Sequence, residues 1–78
     1  MSKAYAIILL KDAIKYAFEE VRQLYYMIDE ESKEECVICK FVTENPYYQL
    51  GEFRICVTAD SIPAMYDDVW NAVKKRFG

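Results

Sequence analysis

From Ile7 to Ile28 the apolar residues fall alternately three and four positions apart, as Ile7, Leu10, Ile14, Ala17, Val21, Leu24 and Ile28. That spacing lays them on one face of a helix turning every ~3.6 residues. Between them stand Lys11, Asp12, Lys15, Glu19, Glu20, Arg22 and Gln23, which suit a solvated face. Ser2 is placed to cap the start, and no glycine or proline interrupts the run. The pattern predicts one long N-terminal helix from about residue 3 to 30. A competing parse makes Ala4 to Leu10 a buried strand and lets Asp12 cap a shorter helix, because short apolar runs fit either state.

Asp29 to Glu35 holds five acids against one lysine and leaves the apolar stripe behind. The acids oppose the negative end of a helix dipole, so the helix should end here in a hydrophilic connector. Two strand-like segments follow. Cys36 to Thr43 is rich in Val, Ile, Cys and Phe, and Tyr48 to Thr58 carries Phe53, Ile55 and Val57 at period two. Asn45-Pro46 between them is turn chemistry, so the pair reads as an antiparallel hairpin. One face would carry Val37, Cys39, Phe41, Phe53, Ile55 and Val57 and form the core. The other would carry Cys36, Ile38, Lys40 and Val42 with Glu52, Arg54, Cys56 and Thr58. A three-residue loop, Asn45-Pro46-Tyr47, sets Lys40 opposite Glu52 and Cys36 opposite Cys56. Gly51 is a candidate for a bulge that would upset this count.

Ser61 and Pro63 then open a last helix. Ile62, Met65, Val69, Ala72, Val73 and Phe77 supply its apolar face, and Lys74, Lys75 and Arg76 suit its C-terminal dipole. The expected fold is a single α+β domain over residues 1–78: long N-terminal helix, antiparallel hairpin, C-terminal helix, in the order α-β-β-α. The competing parse gives β-α-β-β-α. An isolated two-stranded hairpin is marginal, so dimerisation is expected to complete the structure.

A chain of 78 residues buries only about 60–65% of its unfolded surface. Yet 54% of its residues are hydrophobic. The surplus must lie outside, and exposed apolar area marks interfaces. The chain carries thirteen acids and ten bases, a net charge of −3, which disfavours phosphate binding and makes nucleic acid a poor partner. No run reaches the roughly eighteen apolar residues of a membrane span. Ala4 to Leu10 is too short and poorly flanked for a signal peptide. Three cysteines cannot all pair, which points to reduced thiols and a cytoplasmic location.

Histidine is absent, which removes the usual general base, the usual activator of Ser or Cys and the commonest transition-metal ligand. No enzymatic role is expected. Cys36-Val37-Ile38-Cys39 has C-x-x-C spacing, but in a strand residues three apart point to opposite faces, and Cys56 makes only three potential ligands where structural zinc takes four. The cysteines are therefore read as small hydrophobes, with no metal and no cofactor.

What remains is a small acidic protein-binding module, a dimeric regulator or inhibitor of a partner protein. Small inhibitors of phages and mobile elements, anti-CRISPR proteins among them, share this size and acidity by analogy of class only. A cysteine-based domain responsive to a small ligand or metal is the alternative, and a nucleic-acid binder using Lys74, Lys75 and Arg76 is the third reading. The candidate partner surface is Tyr47 and Tyr48 at the hairpin tip, Tyr26, and the acids Glu30, Glu31, Glu34 and Glu35. Tyrosine gives large contact area with few rotors, and the acids would steer a basic partner.

Overall fold

The structure is a computed structural model that describes residues 2–43, 50–58 and 60–78. Five elements follow one another: α1 (Lys3–Ala17), β1 (Val21–Ile28), β2 (Glu35–Phe41), β3 (Gly51–Cys56) and α2 (Ile62–Phe77). The strands form one antiparallel sheet in the order β1-β2-β3. The α+β class, the hairpin and the C-terminal helix are as the sequence predicts, and a third strand joins them.

Residues 4–10 are helical. Ser2 caps α1, its hydroxyl accepting from the Tyr5 N–H at 3.1 Å. The single helix expected over residues 3–30 instead stops at Ala17, and Phe18 leaves it in an extended conformation. Two causes converge. Glu19 and Glu20 would load the negative end of the dipole, and Val21, Tyr25, Tyr26 and Ile28 are residue types that favour strands. The added strand follows the helix, so the order is α-β-β-β-α, not α-β-β-α and not the alternative β-α-β-β-α.

A bulge explains why β1 looks helical in sequence. Val21 pairs with Phe41 and Gln23 pairs with Lys40, which leaves Arg22 as an extra residue. Past it, Leu24 pairs with Cys39. The inserted residue shifts the alternation by one, so Val21 and Leu24, three apart, are both buried in the core. The Arg22 guanidinium also donates to the Glu19 carbonyl and so braces the connection from α1.

The acidic connector is a hairpin turn between β1 and β2. The Asp29 carboxylate accepts from the backbone N–H of Glu31 at 2.9 Å and of Ser32 at 3.1 Å. Lys33 takes φ 61°, a left-handed conformation uncommon for a residue with a side chain. Between β2 and β3 the register pairs Cys36 with Cys56 and Lys40 with Glu52, as the residue types predict. It runs without a shift through Gly51, so the irregularity lies in β1, not at the glycine. The proposed loop Asn45-Pro46-Tyr47 lies outside the described residues.

Both helices pack on the sheet face that carries Leu24, Val37, Cys39, Ile55 and Val57. Ala6, Ile7 and Ile14 come from α1, and Met65, Val69 and Val73 from α2. The Tyr66 hydroxyl donates to the Ala6 carbonyl at 2.9 Å and ties the helices together. At one end, Phe41 lies 5.9 Å from Phe53 and 5.3 Å from Phe77 between ring centroids. Phe53, expected within the core, is only partly buried at its margin.

Candidate interaction surfaces

The residues singled out from sequence fall into three settings. Tyr47 and Tyr48 lie outside the described residues. Glu30, Glu31 and Glu34 are exposed on the turn between β1 and β2. Tyr26 and Glu35 are drawn into a cluster of their own. The Tyr26 hydroxyl donates to Glu35, and Lys3 pairs with both oxygens of the same carboxylate at 3.1 and 3.2 Å. Loss of solvent and the adjoining carboxylate push the Tyr26 phenol up to about 12. Glu35 is held below the usual carboxylate range, first by the Tyr26 hydrogen bond and then by Lys3. This cluster ties the start of α1 to β1 and β2, so Tyr26 and Glu35 serve the fold before they can serve a partner. Lys3 carried no signal in the sequence, because its partner lies 32 positions away.

A second surface is the outer side of α1. Tyr5, Ile8, Leu9 and Tyr16 are 53%, 53%, 48% and 94% exposed. With Ala13 they recur three and four apart, opposite the buried Ile7 and Ile14, and Asp12 is the one charge among them. The helix is therefore apolar on two sides. In the sequence, the unbroken apolar run Ile7-Ile8-Leu9-Leu10 is the signal that carries this, since four successive residues cannot share one helix face.

The third surface is the sheet face away from the helices. Ile38 sits between Tyr25 and Arg54, and Cys36 between Met27 and Cys56, each triplet running across the three strands. Cys36 and Ile38 are buried all the same, because a central strand is screened by the side chains flanking it. Charged pairs frame this strip. Arg54 reaches Asp29 at 3.4 Å, and Lys40 reaches Glu52 at 3.9 Å. The Asp29 carboxyl is held low by the backbone N–H groups of Ser32 and Glu31 and, after them, by Arg54.

The cysteines divide between the faces. Cys39 lies in the core with Val37, while Cys36 lies on the opposite face, so the C-x-x-C sulfurs diverge. Among the described residues no three Cys, Asp or Glu side chains converge as metal ligands would. Burial pushes the Cys39 thiol up to about 11. Of the basic residues that end α2, Arg76 stacks on Phe41 and Phe77 with its guanidinium 5.0 and 5.8 Å from the ring centres. Among the described residues no helix is long and apolar enough to cross a membrane. No family model, characterised protein or solved structure matches the chain.

Proposed function

We propose that this chain is a non-enzymatic protein-binding module that works as a homodimer and regulates or inhibits a partner protein by occupying its surface. The outer side of α1 carries the reading. A 15-residue helix that already buries Ile7 and Ile14 presents Tyr5, Ile8, Leu9 and Tyr16 on its other side. A small chain gains nothing from leaving four large apolar side chains in water on one helix face unless another surface covers them. In this reading a second copy covers α1, and the turn acids Glu30, Glu31 and Glu34, together with Tyr47 and Tyr48, meet the partner. The absence of histidine from the sequence supports a role without chemistry on a bound substrate.

The test is light scattering over a concentration series, followed by affinity capture from the native host. The wild-type chain should give twice its 9.2 kDa mass, and the double variant Leu9→Glu, Tyr16→Glu should give a monomer with an unchanged circular dichroism spectrum. Reversing Glu30, Glu31 and Glu34 to lysine should slow association with the captured partner. A wild-type monomer at every concentration sinks the dimer, and an unchanged association rate moves the partner surface elsewhere.

A further inference from the structure

Cys36 and Cys56 stand directly opposite each other on β2 and β3, on the sheet face away from the helices. The Val57 N–H donates to the Glu35 carbonyl at 3.0 Å, joining the next pair along the same register. In an antiparallel ladder hydrogen-bonded and non-hydrogen-bonded pairs alternate, so Cys36 and Cys56 form a non-hydrogen-bonded pair. Such pairs hold their Cα atoms about 4.5 Å apart, with the side chains at their closest. A disulfide needs a Cα separation of roughly 4.4–6.8 Å, so this position can close, at the short end of the range. Cys56 is exposed, and exposed disulfides are the ones within reach of small thiols.

The two thiols differ in access. Cys56 is exposed and Cys36 is buried. Cys56 opens onto a depression of about 380 Å³ lined by Lys33, Glu34, Glu35, Val57 and Thr58. Glu35 there is already paired with Lys3, so among the described lining residues Lys33 and Glu34 supply a cation and an anion outside that pair. Cys39 takes no part, because it lies on the other face and burial disfavours its thiolate.

We propose that Cys56 and Cys36 form a thiol–disulfide exchange site for a low-molecular-weight disulfide of the glutathione type. Such a molecule carries carboxylates and ammonium groups, which suits a rim holding both Lys33 and Glu34. Cys56 loses its proton to water, and the thiolate attacks one sulfur of the small disulfide. The bond between Cys56 and that sulfur forms, the small disulfide's S–S bond breaks, and one thiolate leaves and takes up a proton. Cys36, deprotonated in turn, attacks the Cys56 sulfur. The Cys36–Cys56 bond forms and the second small thiol departs. Two protein thiols are oxidised, one small disulfide is reduced to two thiols, and no other oxidant is needed. The resulting bond staples β2 to β3 beside the acidic turn.

The experiment equilibrates the whole reduced chain in buffers of rising glutathione disulfide, then alkylates it after unfolding and measures intact mass and peptide map. The wild-type chain should lose two of its three alkylatable thiols, weigh two hydrogens less before alkylation and take up one alkyl group in place of three, yield a 36–56 crosslinked peptide and melt at a higher temperature. The change should reverse with dithiothreitol. Cys36→Ala should stop at a glutathione adduct on Cys56, and Cys56→Ser should keep both remaining thiols while folded. Three free thiols in the wild-type chain at the most oxidising ratio would overturn the proposal. So would a wild-type glutathione adduct that never closes, a crosslink through Cys39, or a bond between two copies. The wild-type measurement alone decides the matter should either variant fail to fold.

Discussion

The Tyr26 hydroxyl donates to the Glu35 carboxylate on the neighbouring strand, and Lys3 at the start of α1 pairs with the same group. The contact makes folding sensitive to pH at two ends. Glu35 has a folded pKa below its ordinary value, so its stabilisation is present above the usual carboxylate range and is lost as pH falls through the depressed value. Tyr26 has a raised one, so its contribution is present below pH 10 and is lost as pH rises towards about 12. Urea unfolding of the wild-type chain and Glu35→Gln should therefore differ at neutral pH and converge in acid. A gap that stays constant down to the acid limit would assign the effect to packing and not to charge.

Gly51 lies opposite Phe41, and a Cβ there would collide with the far edge of that ring. The ring has little room to yield, since Phe53, Phe77 and the Arg76 guanidinium surround it. Gly51→Ala should cost about 1–3 kcal/mol by overpacking, although its backbone conformation is ordinary. Chemical denaturation measures this, and the double variant Gly51→Ala, Phe41→Leu should regain part of the loss.

Ile14 and Ile8 sit on opposite sides of α1, one fully buried and one half exposed. Ile14→Ala should cost ~2–5 kcal/mol in unfolding free energy. Ile8→Ala should stay within about 0.5 kcal/mol for the monomer, since exposed positions tolerate truncation, but should weaken self-association. Denaturation at low concentration separates the first effect, and light scattering reads the second.

Thiol reactivity should rank by face and burial. Cys56 should react with an aromatic disulfide reagent at once, and Cys39 only as the fold opens, because it is buried and its thiol is pushed up to about 11. Stopped-flow thiol release should therefore show one fast equivalent from Cys56, a second as Cys36 attacks the mixed disulfide opposite it, and none from Cys39 while the fold stays closed. Immediate release from Cys39 would contradict its place in the core.

The sequence by itself determined the alternating faces of β2 and β3, their register, the caps at Ser2 and Ser61 and the buried stripe of α2. These rest on local spacing and on strands that neighbour each other in sequence order, where residue types constrain each other directly. The split of Cys36 from Cys39 follows from the same period of two. Only the tertiary structure decided that α1 ends at Ala17 and that residues 21–28 are a strand. A bulge at Arg22 puts Val21 and Leu24 on one face at helical spacing, and a bulge is defined by the partner strand, not by its own residues. The same holds for Tyr26 and Glu35. As isolated residues they read as a polar surface, but the pairing of β1 with β2 and the placement of Lys3 turn them into a three-residue cluster. Long-range partners set their role, and no local pattern encodes those partners.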